Sequence, residues 1–467
     1  MENNLSRLSW GLLWRRHPTA SLSLHSMPPM NTTTRREFVQ RSTTLVAGAA
    51  ALAVSPQLRA ADANSRVVLG VIGPGGMGTN LLKSFAAQKD VDIAWVCDPD
   101  AERAGKAAQN VEQIAGRRPK VEKDLRRVLD DKAVDAVIVA TPDHWHGPAT
   151  ILACEAGKHV YVEKPCSHNI REGRLMVEAA RRHKRVVQVG TQSRSTTHVR
   201  RAMEILASGA IGEVLVAKAW NSQRRNSIGR AKPSEPPAHL DFDLWVGPAP
   251  MVPYQSNLLP GIWRWWHAFG TGDIGNDGVH DLDLARWGLG AETHPSAVTA
   301  MGGKYHFDDD QQFPDTQYVV FEYAGDGPRR RQLIYEQRLW SPYLQEGYEN
   351  GNAFYGTNGM LLLGKHGGWQ LFGPRNELRD KMSGNVENLP HHRDFLDGIK
   401  AGGRRMHADI ETGHLSATLA HLGNIATRVR RTLEFDPKTE RIVNDAEADA
   451  LVRRQYRKDH WAVPKGA

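Results

Sequence analysis

A glycine-rich loop constrains the fold of this chain more than any other feature. The loop, Gly73-Pro74-Gly75-Gly76-Met77-Gly78, follows an apolar run over 66–73 and precedes a helical pattern over 79–86. A strand, a tight glycine turn and a helix in this order are typical of the first unit of a dinucleotide-binding domain. Gly73 permits the tight turn, Gly75 lets the backbone approach a pyrophosphate, and Gly78 lets the helix pack closely. The loop, including Gly76 and Met77, is therefore the predicted phosphate cradle.

Apolar runs and helical patterns alternate after this loop. The runs cover 91–97, 134–142, 158–165 and 185–190, and helical patterns over 148–156 and 171–183 separate some of them. Such alternation predicts a parallel, doubly wound sheet. We therefore expect an α/β protein that begins with a Rossmann domain over 66–190.

Asp98 follows the second apolar run and lies 20 residues beyond Gly78. An acidic residue at this distance accepts hydrogen bonds from the adenosine ribose and repels a 2′-phosphate. The sequence thus favours NAD over NADP as the cofactor. A second interpretation, compatible with the first, is that Asp98 caps the following helix.

Polar residues follow two later strands of the predicted sheet. Thr141-Pro142 and His146 come after one apolar run, and Glu163-Lys164-Pro165 ends the next. Ligands of open parallel sheets bind outside the carboxyl ends of the strands. Lys164 is therefore placed where a cation would stabilise negative charge on a reacting oxygen.

A later segment, 270–286, combines glycines with a helical pattern that carries Asn276, Asp277 and His280. Asn276, His280 and position 283 or 284 share one face of such a helix. His280 is the strongest candidate for a general base, because the unperturbed pKa of histidine lies near 6.5.

In combination these motifs resemble the Gfo/Idh/MocA oxidoreductase family over roughly 66–430. The resemblance implies a Rossmann domain followed by an α/β domain with a large, open, mostly antiparallel sheet. It also implies NAD, a sugar, inositol or related polyol as substrate, and a homo-oligomer formed through the sheet. We accordingly predict a substrate and oligomerisation domain over 191–435 and a C-terminal extension over 436–467.

The resemblance also implies roles for single residues. Lys164 would lie beside both nicotinamide and substrate, His280 would be the base, and Thr141, Pro142, His146 and Glu163 would border the cofactor. The family pattern has an aspartate four residues before the histidine, where this chain has Asn276. Asp277, or Asp273 one turn earlier, is available to compensate.

The remaining substrate candidates are Arg194 and the segment Trp263-Arg264-Trp265. Aromatic faces stack on the apolar faces of sugar rings, and an arginine binds hydroxyl or carboxylate groups. An alternative is that the tryptophans form a core cluster with Arg264 extending from it. One of His391 and His392, which begin a later helix, is a further candidate.

Charge and cysteine content exclude several functions. The net charge is +8, but half of it comes from residues 1–63, which contain seven arginines and three acidic residues. We therefore expect no nucleic-acid partner. Three cysteines, at 97, 154 and 166, match neither a disulfide framework nor a zinc knuckle. No recognised zinc spacing occurs among the histidines and acids, so no metal is predicted.

The N-terminal 63 residues resemble an export signal. Thr34-Arg35-Arg36-Glu37-Phe38 is a twin-arginine pattern, and a weakly hydrophobic stretch over 43–54 follows it. That stretch is shorter than the roughly 20 apolar residues of a stable membrane span. We expect translation to start at Met30 or Met27, the Tat machinery to be a partner, and the folded protein to be periplasmic or otherwise exported. An exported dehydrogenase would need a tightly bound, recycled NAD.

Three functions fit this sequence. The first is an exported NAD-dependent dehydrogenase of a sugar or cyclitol. The second is a glycoside hydrolase or lyase that oxidises C3 transiently with bound NAD. The third is a non-catalytic sugar-binding scaffold, against which the presence of Lys164 and His280 argues.

Overall fold

The computed structural model describes residues 66–325, 329–403 and 405–467. They belong to one compact unit, Ser65–Ala467. The twin-arginine pattern and the predicted start at Met30 lie outside the described residues. Within these residues, no helix is long and apolar enough to cross a lipid bilayer.

The first sheet is the predicted doubly wound sheet. All six strands are parallel, in the order β3-β2-β1-β4-β5-β6. The third strand was not predicted, because it has only three residues and little buried surface. The strands are β1 (Val67–Ile72), β2 (Val91–Cys97), β3 (Lys120–Glu122), β4 (Ala136–Val139), β5 (His159–Val162) and β6 (Val187–Val189).

Eleven α-helices occur among the described residues, and the first six of them follow the six strands of the first sheet. They are α1 (Gly76–Ala86), α2 (Ala101–Ala115), α3 (Leu125–Asp130), α4 (Asp143–Glu155), α5 (Ile170–Arg182), α6 (Thr197–Ala207), α7 (Phe242–Val246), α8 (Val279–Gly288), α9 (Asn388–Lys400), α10 (Ile410–Val429) and α11 (Ala446–Ala450).

Helix α4 begins five residues earlier than predicted. The predicted helical pattern began at Pro148, a residue that is common in the first turn of a helix. Inside a helix, proline has no N–H to donate to the carbonyl four residues earlier. Here that carbonyl belongs to His144, and Arg454 Nη2 donates to it at 2.8 Å. A tertiary hydrogen bond thus replaces the missing helical one.

The second sheet has ten strands in the order β14-β13-β12-β11-β7-β10-β9-β8-β15-β16. It is antiparallel except where β7 pairs with β10 in parallel. The strands are β7 (Val214–Asn221), β8 (Ala297–Gly303), β9 (Thr316–Ala324), β10 (Arg330–Arg338), β11 (Asn350–Gly356), β12 (Gly359–Gly364), β13 (Gly368–Phe372), β14 (Leu378–Met382), β15 (Leu433–Asp436) and β16 (Arg441–Val443).

The C-terminal extension contacts both sheets. Strand β16 pairs with β15 at the edge of the second sheet. Further on, the Trp461 ring lies 5.8 Å from the Trp145 ring beside the first sheet. Glu440 also anchors the extension, because it accepts hydrogen bonds from Arg174, His294 and His414 at 2.6–2.8 Å. These two histidines and Glu440 could hold a metal ion, but the charge of Arg174 already neutralises the carboxylate.

Buried histidines make the stability of this fold sensitive to acid. Burial lowers the pKa of His144, His391 and His421 to about 3. In the unfolded chain a histidine has a pKa near 6.5. Below that pH the unfolded state binds more protons than the native state, so stability is complete above it and declines as the pH falls.

We expect the free energy of unfolding to fall by about 1–2 kcal/mol per buried histidine between about pH 7.5 and pH 5. Urea unfolding at the two pH values measures this difference. The variant His421→Gln should show a smaller difference, whereas the same substitution at the exposed His366 should leave it unchanged. Equal differences in both variants would contradict the assignment.

Candidate functional site

A cavity of about 570 Å³ lies at the carboxyl ends of the parallel strands. It is bordered by residues that follow β1, β2, β4 and β5, as expected for a doubly wound sheet. The predicted cofactor residues that line it are Gly73, Gly75, Gly76, Met77, Asp98, Thr141, Pro142, His146, Glu163 and Lys164.

The geometry of the glycine loop explains why glycine occupies Gly73 and Gly78. Gly73 has a φ of +79°, and a Cβ there would lie 2.7 Å from the Thr141 backbone nitrogen. A Cβ on Gly78 would lie 2.2 Å from the Gly73 carbonyl oxygen. By contrast, no described atom lies within 4 Å of the Cβ position of Gly76. Two glycines thus close the turn, and the third leaves open space above it.

This open space fits a dinucleotide phosphate. Helix α1 starts at Gly76 with neither a side-chain cap nor an acidic residue in its first turn, as far as the chain is described. Its partial positive charge is therefore available to an anion. The hydroxyl of Thr141, across the cavity, is buried without a hydrogen-bond partner among the described residues. These features fit the pyrophosphate of NAD.

We expect Gly78→Ala to destabilise the protein, because the new methyl group overlaps a backbone carbonyl that cannot move independently. The loss should be about 1–3 kcal/mol, measured by urea unfolding without nucleotide. The matched control, Gly76→Ala, should leave the stability of the nucleotide-free protein nearly unchanged. Similar losses in both variants would show that the loop, and not this contact, is the cause.

Asp98 is buried at the end of β2, and burial raises its pKa to about 7. One carboxylate oxygen accepts the backbone N–H of Asp100 at 2.9 Å. The cap of α2 is Asp100, which accepts the N–H groups of Glu102 and Arg103. The helix-cap interpretation of Asp98 is therefore wrong, and its carboxylate borders the cavity instead.

Arg103 is a cation that sequence reasoning missed beside Asp98. Its Nε donates to Asp100 at 3.1 Å, and its Nη1 lies 3.1 Å from the Cβ position of Gly75. The i, i+3 spacing from Asp100 was the available signal. The guanidinium is thus held by an acidic neighbour at the phosphate side of the cavity.

Lys164 lies at the end of β5, largely buried. Its Nζ donates to the carbonyl oxygen of Asn276 at 2.5 Å. Burial lowers the pKa of Lys164, and the nearby charges of Glu163, Asp277 and Asp143 oppose this effect. Burial also raises the pKa of Glu163 to about 7. The lysine therefore bridges the nucleotide-binding half and the helical segment of the second half.

Asp277 is the centre of a buried charge cluster. Lys365 Nζ lies 3.0 Å from its carboxylate and Arg225 Nη2 lies 3.4 Å away. Despite burial, the charges of Lys365, His280, Lys164 and Arg225 hold the pKa of Asp277 well below its usual range. The carboxylate is therefore ionised, and it interacts with three cations, Lys164, Arg225 and Lys365, from three other segments.

His280 is the second residue of helix α8. Burial, Lys365 and Lys164 keep its pKa well below the ordinary value, and Asp277 opposes them. Its Nδ1 is buried with no partner among the described residues. The imidazole is therefore neutral, which is the form that can accept a proton.

Asn276 stands where the family pattern has an aspartate, but its side chain contacts Asp273. It lies in a π-helical turn, Ile274–Gly278, that precedes α8. Its Nδ2 donates to Asp273 Oδ1 at 2.9 Å. Asp273 itself makes no helix-cap hydrogen bond and accepts from Asn221 and Arg225. Asp277 is thus the carboxylate whose charge raises the pKa of His280.

Lys365 and Arg225 were not identified from the sequence. Arg225 follows β7, and Lys365 follows β12, in segments without a motif. Both reach Asp277 only because the second sheet brings these strand ends together. No local pattern in the sequence could have placed either of them.

Several predicted substrate residues lie elsewhere. Arg194 is buried and makes a bidentate ion pair with Asp283 of α8, at 2.7 and 2.9 Å, so its donors serve this contact and not the cavity. Trp265 is only 5% exposed and packs with Phe313 and Leu339. For Trp265 the core-cluster interpretation therefore holds.

Trp263 and Arg264, in contrast, line the cavity. Burial lowers the pKa of Arg264, and the nearby carboxylates of Asp273, Asp143 and Asp277 oppose this effect. Its Nε is buried without a partner among the described residues. The two residues thus offer an aromatic face and a free donor beside Lys164.

The other predicted histidines are held by hydrogen bonds. His146 contacts the carbonyl oxygens of Pro165 at 2.6 Å and Thr141 at 2.9 Å, which joins two strand ends. His391 contacts the Val189 carbonyl and the Ser195 hydroxyl at 3.0 and 2.9 Å. These contacts fix both rings, and of the two only His146 lines the cavity.

Comparison with known proteins agrees with this architecture. The model of an oxidoreductase family with an NAD-binding Rossmann fold, Gfo/Idh/MocA, matches residues 67–191. The model of the family's C-terminal alpha/beta domain matches residues 197–330 and 356–463. The chain belongs to the Gfo/Idh/MocA oxidoreductase family. The α/β fold and the NAD-binding Rossmann domain predicted from the sequence are thereby confirmed.

Two curated relatives come from Saccharopolyspora erythraea. An inositol 2-dehydrogenase 2 is 32% identical over 54% of this chain and 62% of its own length. A glycosyl hydrolase family 109 protein is 32% identical over 33% of this chain and 34% of its own length. The chain therefore matches less than two thirds of either relative.

A solved structure of levoglucosan dehydrogenase in complex with NADH and levoglucosan has the same fold. Its TM-score is 0.61 at 20% identity, over 79% of this chain and 99% of that one. The similarity extends across both sheets.

Proposed function

We propose that this protein is an NAD-dependent oxidoreductase that transfers a hydride between nicotinamide and a secondary alcohol of a sugar or cyclitol. One observation carries the proposal: Lys164 lines the cavity together with the glycine cradle and belongs to a buried cluster with Asp277 and His280. The cluster supplies a cation, a carboxylate and a neutral imidazole within one buried region.

Oxidation of a secondary alcohol removes a hydride from carbon and a proton from oxygen. NAD, when bound, supplies the hydride acceptor. Lys164 donates a hydrogen bond to the reacting oxygen and stabilises its negative charge. His280 accepts the hydroxyl proton. Asp277 stabilises the imidazolium that forms, because its charge raises the pKa of His280.

The relatives support a polyhydroxylated substrate. Their names specify an inositol and levoglucosan as substrates of those proteins. In this chain, Trp263 offers an aromatic face and Arg264 a free donor to such a ring. We test the proposal by following NADH formation with inositols, levoglucosan and common hexoses. NAD binding without NADH formation from any polyol would contradict it.

A second candidate function is hydrolysis or elimination of a glycoside through transient oxidation with bound NAD. The similarity to a glycosyl hydrolase family 109 protein favours it. A chromogenic glycoside incubated without added NAD separates the two functions. Steady aglycone release without net NADH supports the hydrolase, and dependence on an external oxidant supports the dehydrogenase.

We further propose export by the Tat pathway with a tightly held NAD. The twin-arginine pattern at Arg35 and Arg36 supports export. Cell fractionation of Arg35→Lys/Arg36→Lys should show retention in the cytoplasm. Mass spectrometry of the denatured wild-type protein should find about one NAD per subunit, and an empty protein would contradict tight binding.

A homo-oligomer through the second sheet is also proposed. Met301 and Tyr318 are cross-strand partners on β8 and β9, and they are 75% and 44% exposed. Paired exposed apolar side chains favour association. Light scattering should give a multiple of the protomer mass, and Met301→Lys/Tyr318→Lys should reduce it.

A further inference from the structure

A second cavity, of about 730 Å³, lies outside the nucleotide site. It is bordered by the end of β8, the C-terminal half of α10 and the start of the last segment, 450–455. Segment 263–271 contributes to both cavities, with its first residues in the nucleotide site and its last in this one. Neither the family match nor the proposed reaction assigns a ligand to it.

The charge of this second cavity is one-sided. No aspartate or glutamate lines it within the described chain. Three histidines, His168, His267 and His421, line the cavity, and burial lowers the pKa of each of them. The cationic side chains that line it are Lys304, Arg428, Arg430, Arg453 and Arg454.

Most of this positive charge is not neutralised locally. Lys304 lies 3.3 Å from Asp309, and Arg454 lies 2.7 Å from Glu172. Arg428, Arg430 and Arg453 are exposed and form no ion pair with any residue of the described ranges. Solvated surface arginines are common, so the exposed three alone would not define a site.

Arg454 provides the second, independent observation. Its side chain is only 7% exposed. Its Nη2 lies 2.7 Å from a carboxylate oxygen of Glu172 and donates to the His144 carbonyl. Its Nε and Nη1 are shielded from solvent and have no hydrogen-bond partner among the described residues. Buried donors without partners are costly, so native proteins usually satisfy them.

We propose that this cavity binds a small multivalent oxyanion, through the buried guanidinium group of Arg454 and the charges of Arg428, Arg430 and Arg453. Phosphate esters and polycarboxylates share the required chemistry. The oxygens of a tetrahedral phosphate or a planar carboxylate accept bidentate hydrogen bonds from guanidinium groups. The volume accommodates a ligand of sugar-phosphate size. This site is independent of the proposed reaction.

Calorimetric titration of the full chain tests the proposal. Saturating NAD is present throughout, so that the glycine cradle does not bind the probe. The probes are inorganic phosphate, glucose 6-phosphate and malonate at constant ionic strength. Saturable binding is expected, and the tighter of the last two probes identifies a phosphate ester or a carboxylate as the recognised group.

A charge-reversal variant locates the binding. In Arg428→Glu/Arg453→Glu the affinity should fall at least about tenfold, because two of the cations facing the anion change sign. The control Arg182→Glu/Arg375→Glu makes the same change at exposed arginines that line neither cavity and should change the affinity less than about twofold. Absence of saturable binding in the wild type, or equal losses in both variants, would overturn the proposal.

Discussion

Replacing Lys164 by methionine should lower kcat about 10²- to 10³-fold while NAD binding and folding are retained. Methionine keeps most of the volume of the side chain but removes the donor that opposes charge on the reacting oxygen. Loss of one such preorganised donor has an effect of about this size. Steady-state kinetics with the best polyol substrate measures it.

Two controls make the Lys164 result specific. Urea unfolding and NAD titration of Lys164→Met show whether the fold and the cradle survive. Lys164→Arg keeps the charge but brings a longer, planar group into a buried position, so we expect only partial recovery of kcat. A kcat within about threefold of wild type in Lys164→Met would remove the lysine from the mechanism.

Asp277→Asn should lower kcat/KM at least about 10²-fold. A neutral amide leaves Lys164, Lys365 and Arg225 without their shared counter-charge. It also removes the charge that raises the pKa of His280, so the imidazole becomes a weaker base. Lys365 and Arg225 are about 20% exposed. We therefore expect a loss of stability of about 1–3 kcal/mol, which is smaller than the loss on breaking a fully buried ion pair.

The exchange variant Asn276→Asp/Asp277→Asn separates charge from position. It places an aspartate where the family pattern has one. In this chain, however, Asn276 Nδ2 lies 2.9 Å from Asp273 Oδ1, so the new carboxylate would face another carboxylate. We therefore expect the exchange to remain as impaired as Asp277→Asn. Recovery of wild-type kcat/KM would show that the family position functions here after all.

The sequence was sufficient for features that depend on neighbouring residues. The glycine loop, Asp98 and Lys164 all follow strands that are short and mostly apolar. Their place at the carboxyl edge of a parallel sheet follows from this local order. Strand β3 was missed for the complementary reason, because its three residues, of which only Val121 is apolar, are too few to carry a periodic signal.

Long-range contacts account for the errors. Arg194 was expected at the substrate, but Asp283, 89 residues away, binds its guanidinium. Trp265 was expected to contact the substrate together with Trp263 and Arg264. Those two line the cavity, whereas Trp265 packs in a separate hydrophobic cluster. The start of α4 was misplaced because Arg454 compensates the proline by donating to the carbonyl of His144, 310 residues earlier.

The sequence by itself thus determined the fold family, and it predicted the phosphate cradle, the cation Lys164 and the general base His280. Only the tertiary structure decided that the charge of Asp277, and not the side chain of Asn276, raises the pKa of His280. It also decided that Lys365 and Arg225 stabilise the negative charge of Asp277. The physical reason is that a buried charge depends on every group within a few ångströms. Those groups come from strand ends that only the folded second sheet brings together.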